Sequence, residues 1–271
     1  MQIAFWSNVH GQTATTSNMV AVALMTALEY RLKVLITHNH FDKSTLESSL
    51  MDRRYLRNEL TELSDSGIDA LSRFIKFNKV DKESIVNYTT TLLRNKLDLL
   101  TGTTNTNREL YMNDLNDVID LILSSAQEFY DLILIDVSSG RNELSSKILE
   151  HSQMIVVNLN QNINVLDEFF EEYKDIADKC VFLLGRYDND SRLNVNNIKR
   201  RYSIKKNIAV IPYNIEFSDA CSEGKAIDFF MKNLRVKKDD GNYYFIEEVR
   251  NAVKMLLTGA GIDINLKKLG D

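Results

Sequence analysis

Apolar positions along this chain fall into two alternating patterns. Short runs that are β-branched or wholly apolar occur at residues 3–6, 33–37, 97–100, 132–136, 154–159, 180–184 and 208–211. Continuous runs of that length mark strands buried on both faces. Between them, apolar residues return every three to four positions at 18–30, 44–62, 69–77, 83–95, 113–129, 165–178, 195–202 and 246–257. That is the spacing of helices with one buried side. Strand alternating with helix predicts βαβ units. The expected fold class is α/β: a doubly wound, mostly parallel sheet flanked by helices. The stretch 42–95 is too long for an ordinary crossover and is expected to pack as several helices over one face of the sheet. No repeat, linker or low-complexity tract divides the sequence. Residues 1–258 are read as one domain and 259–271 as a weakly ordered C-terminal tail.

Composition changes this picture little. Of 271 residues, 44% are hydrophobic and 26% charged, as in ordinary globular domains. The formal charge of −5 gives no reason to expect nucleic acid as the main partner. No apolar run approaches the roughly 20 residues that span a bilayer. Met1 leads straight into strand-like sequence, so no signal peptide is expected. Cys180 and Cys221 lack metal-type spacing and read as reduced core thiols of a cytoplasmic protein.

The first 28 residues, MQIAFWSNVHGQTATTSNMVAVALMTAL, carry the most chemistry. An apolar run (Ile3, Ala4, Phe5, Trp6) meets a polar turn with Gly11, then hydroxyls at Thr13, Thr15, Thr16 and Ser17, then a helix pattern. Strand, tight loop and helix N-terminus make an anion site, because free N–H groups and the helix dipole converge there. A phosphate-binding loop also needs a lysine just before its Ser/Thr; that position is Ala14. The candidate phosphate-facing residues are His10, Gly11, Gln12, Thr13, Ala14, Thr15 and Thr16. The simpler reading of the hydroxyl cluster is helix N-capping. Asp136 ends an apolar strand, where ligands of α/β proteins bind.

Other features read more plainly. His10 could replace a missing positive charge near pH 6.5. His38 and His40 flank Asn39 and could hold a metal, but surface loop histidines are the expected reading. Lys199, Arg200, Arg201, Lys205 and Lys206 cluster around Tyr202. Such a patch can neutralise DNA phosphates, although a solvated helix face is the commoner origin. The acidic stretch 167–178 reads as an amphipathic helix with an exposed acidic side. In the tail, Gly259 and Gly261 interrupt any membrane-binding helix. Neither membrane nor DNA is expected as a partner.

Four segments, in this order, carry a family resemblance. SNVHGQTATTS at 7–17 is similar to SGKGGVGKTTT, and LDLLTG at 97–102 to a third-strand V-L-P-G. YDLILIDVSSG at 130–140 resembles a Walker B strand with its switch, and VIPYNIEFSDACSEGKAIDFF at 210–230 resembles IPxxxxFxxAxxxGKxI. Together, over nearly the whole chain, they resemble the MinD/ParA branch of P-loop NTPases, the deviant-Walker group that includes the pilus-assembly proteins TadZ and CpaE. The resemblance implies ATP or ADP with Mg²⁺ as cofactor, Thr15 and Asp136 at the metal, and Gly140 as the switch glycine. It also shows losses. The signature lysine falls at Val9, the P-loop lysine at Ala14 and the glycine before it at Thr13. The first loop glycine falls at Asn8, the Asp-x-Asp pair at Thr37 and Asn39, and the adenine-reading Asn at Gly185.

Phosphoryl transfer rests on positioned charge. Losing one such group costs on the order of 10² to 10³ in rate. The expectation is therefore no efficient ATPase activity, with nucleotide binding weak or absent. The expected role is a localisation or assembly scaffold, as a homodimer, for a protein partner of a pilus or secretion machine. Two alternatives stand beside it: an active ATP-dependent switch, and a partitioning protein that binds non-specific DNA.

Overall fold

Why the chain folds as a layered sheet is clearest at its first strand. In the computed structural model, which describes residues 1–42, 44–52, 66–78, 84–173, 176 and 179–269, strand β1 (Gln2–Trp6) is buried along its whole length. Ile3 and Phe5 enter one core while Ala4 and Trp6 enter the other, as the twofold alternation of a strand requires. The remaining strands are β2 (Val34–His38), β3 (Thr90–Leu93), β4 (Leu97–Leu99), β5 (Leu132–Asp136), β6 (Met154–Leu159), β7 (Cys180–Tyr187) and β8 (Ile208–Pro212). Their order across the sheet is β3-β4-β2-β5-β1-β6-β7-β8. Among the described strands of this sheet, the β3–β4 pairing is antiparallel and the others are parallel.

Helices α1 (Thr15–Glu29) and α2 (Leu46–Leu50) cover one face. Helices α3 (Gly67–Phe77), α4 (Arg108–Phe129), α5 (Glu143–His151), α6 (Ile163–Glu172) and α7 (Val195–Arg201) cover the other. Helices α8 (Ile215–Glu223), α9 (Ala226–Asn233) and α10 (Tyr243–Gly259) return to the α1 face, bringing Phe217, Phe229, Phe230 and Phe245 into one aromatic cluster. After α10, the short α11 (Ile264–Lys267) lies beside the end of α1, where Leu269 N–H donates to Glu29 O at 2.8 Å.

All seven expected strands are present, and three expectations about helices need correction. The segment 83–95, read as a helix, holds a 3₁₀ turn (Ile85–Tyr88) followed by β3. Its threonines (Thr89, Thr90, Thr91) favour extended backbone, and Asn95, at φ 61°, closes a tight hairpin to β4. The stretch 42–95 does not lie on one face: Leu46 and Leu50 of α2 join the α1 core, whereas Ile68, Leu71 and Ile75 of α3 join the α4 core. Parts of the expected helices 44–62, 83–95 and 165–178, and the tail beyond 269, lie outside the described residues. Finally, α8 and α9 carry no sequence-level helix assignment. Helix α8 buries only Phe217, so it has little apolar periodicity to read; Asn214 caps its start and Gly224, at φ 74°, ends it.

Candidate functional site

The parallel strands β1, β2, β5 and β7 end on one edge, and the loops leaving them enclose two joined cavities. The first, of about 390 Å³, is lined by the loop after β1, the start of α1, His40, Thr45, Asp136 and Arg186. The second, of about 340 Å³, shares Ala14, Ser17, Thr45 and Arg186 with it and continues to Pro212, Tyr213, Asn214, Phe217, Cys221 and Phe245. Polar groups converge in the first lobe, and the second mixes polar side chains with the Phe217 and Phe245 rings. Burial pushes the Cys221 thiol up to about 12, with a hydrogen bond to Ser49 opposing, so it lines the second lobe as a neutral group.

The loop of residues 7–14 is strapped on every side. Asn8 donates to Val165 O at 3.2 Å and Asn160 donates to Gln12 O at 3.1 Å. Asn18 donates to Thr13 O at 3.1 Å and to Asn158 Oδ1 at 2.9 Å. Gly185 of β7 fits beneath this strap: a Cβ there would overlap the Thr13 carbonyl oxygen and stand 2.6 Å from Asn18 Nδ2. Gly11 and Ala14 both adopt left-handed backbone, at φ 71° and 57°. For Ala14 this is uncommon, because its Cβ crowds the carbonyl. Helices α4 to α8 each begin with an asparagine whose side chain accepts a first-turn N–H, but α1 begins without a side-chain cap. The N-capping reading of the hydroxyl cluster therefore fails. Thr13 and Thr15 pair with each other at 3.0 Å instead.

Asp136, fully buried, is the centre of the polar lobe. Thr16, not Thr15, donates its hydroxyl to Asp136 Oδ2 at 2.6 Å. His40 Nε2 stands 3.3 Å from the same oxygen, off the line of a hydrogen bond. Oδ1 is buried with no hydrogen-bond partner. A buried carboxylate oxygen without a partner is costly, and Asp136 is among the residues that line the cavity. The exposed tip of the loop, His10, Gly11 and Gln12, lies at the rim.

The loop after β5 is fixed by its neighbours. Asn39 accepts from Ser138 N–H at 2.7 Å and donates to Ser145 Oγ at 3.1 Å. Trp6 Nε1–H donates to Gly140 O at 3.1 Å. Position 39, where the resemblance places a water-orienting aspartate, is thus consumed by structure. His38 is not a surface histidine: it is buried, and its Nε2–H donates to Glu47 Oε1 at 2.7 Å while Nδ1 accepts from His40 N–H at 3.1 Å. Burial opposes charge on both partners, yet their attraction raises the His38 pKa and lowers that of Glu47. Gly102 is required beneath them, since a Cβ would overlap the His38 ring. Among the described residues, no group of three or more His, Cys, Asp or Glu could hold a metal.

Sequence reading missed Arg186, Asn18 and Asn158. The two asparagines sit inside apolar runs, and only the fold brings them together across 140 residues. The basic cluster is partly engaged: Tyr202 donates to Asp167 at 2.6 Å and Arg201 lies 3.5 Å from the same carboxylate. Among the described residues, no helix is long and apolar enough to cross a membrane.

The fold is that of MinD/ParA P-loop NTPases. A ParA family ATPase from Chlorobium tepidum TLS superposes with a TM-score of 0.71 at 15% identity, over 94% of this chain and 98% of that one. MinD from Pyrococcus horikoshii OT3, complexed with Mg-ADP, superposes with 0.67 at 17% identity, over 97% and 100%. A putative plasmid partition protein from Borrelia burgdorferi B31, bound to AMPPNP, gives 0.63 at 12% identity, over 95% and 98%. No protein-family model and no curated protein sequence matches the chain.

Proposed function

We propose that this chain is a MinD/ParA-like protein that has lost efficient nucleotide hydrolysis and serves as a localisation or assembly scaffold, of the kind TadZ and CpaE provide for pilus or secretion machines. One observation carries the reading: of the charged groups in the metal and phosphate machinery Asp136 alone is kept, while Val9 and Ala14 stand in both lysine positions. Asp136 Oδ1 and the Thr16 hydroxyl fit a Mg²⁺ ion, because one is a buried oxygen without a partner and the other is its neighbour. A bound Mg²⁺ would neutralise charge on phosphate oxygens. The chain's own groups do the rest: α1 offers its uncapped first-turn N–H groups, and Asn39 holds the loop after β5 instead of orienting water. Similar proteins with Mg-ADP or AMPPNP support nucleotide as the ligand class, and the MinC:MinD complex from Aquifex aeolicus supports a protein partner.

The scaffold recognises its partner through a fixed surface, and any homodimer forms without ATP, since the lysine that would reach across it is absent. Steady-state phosphate release tests this. The expected rate is background, unchanged in Asp136→Ala. Turnover that Asp136→Ala abolishes would favour the active switch, a reading the Thr16–Asp136 pair keeps open. Size-exclusion chromatography with and without ATP reads the second point, and an oligomer that appears only with ATP would overturn it.

A further inference from the structure

Arg186 occupies an unusual place on β7. Its neighbours Gly185 and Tyr187 are buried, but Arg186 is exposed, at φ 50°, where the register with β8 slips. Left-handed backbone is unfavourable for a residue with a Cβ, and nothing in the strand's own packing requires an arginine there. The consequence is positional. Arg186 lines both lobes of the crevice, facing the loop and Asp136 on one side and Tyr213 and Asn214 on the other. Among the described residues, no carboxylate lies within ion-pair distance of its guanidinium. Among the described residues of the crevice lining, Arg186 is the one side chain with a permanent positive charge.

We propose that Arg186 is the phosphate-facing cation of this site, taking from the opposite wall the part that the missing loop lysines would play. The inference rests on reading the crevice as a nucleotide site. The ligand class is a nucleoside di- or triphosphate, with its phosphates between Arg186 and the uncapped start of α1 and its base end in the second lobe, beside the Tyr213, Phe217 and Phe245 rings. A guanidinium suits this task because its fixed fork can hold two phosphate oxygens at once. The orphaned Asp136 Oδ1 independently marks the polar lobe as a ligand site.

The test is calorimetric titration of the full chain with Mg-ADP, Mg-ATP and adenosine, in wild type, Arg186→Ala, Arg186→Lys and Arg186→Gly. The proposal expects ADP and ATP affinity to fall about 10- to 100-fold in Arg186→Ala, as losing a charge-assisted contact does. Arg186→Lys should recover part of it, and adenosine should bind all four proteins alike. Arg186→Gly separates binding from folding: glycine accepts φ 50° freely, so its melting temperature should hold or rise while ADP affinity falls. If wild type binds ADP and Arg186→Ala matches it within twofold, the role of Arg186 is overturned and the nucleotide reading stands. If wild type shows no heat with millimolar ADP or ATP, both fall, and the scaffold reading remains with no nucleotide.

Discussion

Substituting Gly185 by alanine tests whether the loop after β1 is a rigid part of the sheet. Gly185 sits in the interior of β7, paired with Ile211, directly beneath the loop. Its added Cβ would overlap the Thr13 carbonyl and approach Asn18 Nδ2 to 2.6 Å. The carbonyl is backbone and cannot swing aside, so strand and loop must part. Overpacking a tight interior costs about 1–3 kcal/mol. Moving Asn18 also disturbs its bonds to Thr13 O and Asn158 Oδ1, both buried, and a buried polar group left unpaired costs about 1–3 kcal/mol. A total of about 2–6 kcal/mol lowers the melting temperature by roughly 4–24 °C at about 2–4 °C per kcal/mol. Differential scanning calorimetry of Gly185→Ala measures it. Gly241→Ala is the control, because nothing lies within 4 Å of a Cβ there. A Gly185→Ala melting temperature within about 2 °C of wild type would refute the packing argument, since surface changes of under about 0.5 kcal/mol shift it by no more.

Three further outcomes follow from the same edge of the sheet. Glu47→Gln should destabilise most between the ordinary Glu and His values, about pH 4.5 to 6.5. Below that window the stability from the lowered Glu47 carboxyl is lost as pH falls, and above it the stability from the raised His38 is lost as pH rises; the wild-type minus Glu47→Gln melting difference against pH reads this, and a flat profile contradicts it. Asp136→Asn keeps the acceptor for Thr16 but removes a buried charge with an unpartnered oxygen, so the ligand-free protein should gain about 1–2 kcal/mol in denaturant unfolding; a loss of stability would show that the charge is already compensated. Asn39→Ala removes the acceptor of Ser138 N–H, so amide exchange at Ser138 should quicken about tenfold or more for a bond worth about 1.5 kcal/mol; unchanged exchange would mean that the loop after β5 is held elsewhere.

What the sequence reveals about this molecule follows how locally each feature is encoded. The buried parallel strands are legible because a run such as LILID needs no context to read as buried extended chain. The pairing of Thr16 with Asp136 is not, because the hydroxyl cluster offers adjacent threonines and only the pitch of α1 decides which one faces β5. Placing Thr15 at the metal followed from counting along a motif. The structure brings the next residue to the aspartate and leaves Ala14 in the left-handed conformation that glycine usually fills. His38 was misjudged for a related reason. A polar THNH segment reads as loop, whereas Glu47 and Gly102, distant in sequence, make a buried place for its ring. Arg186 gave no signal at all, since an arginine in a strand is ordinary until its backbone angle and the two cavities beside it are known.

The place of β1 at the centre of the sheet has a consequence for how the protein is made. Its neighbours are β5 and β6, so Gln2 pairs with Ile133 and Ile3 pairs with Met154. Strand β1 is therefore made about 130 residues ahead of its first partner. At about 5–20 residues per second, the apolar segment QIAFW waits roughly 6–30 s with its edges open before β5 can reach it. Throughout that interval the nascent chain presents a sticky, unpaired strand. Newly made chains of this protein should accordingly lean on chaperones that hold the β1 segment during synthesis, more than on any that act after release.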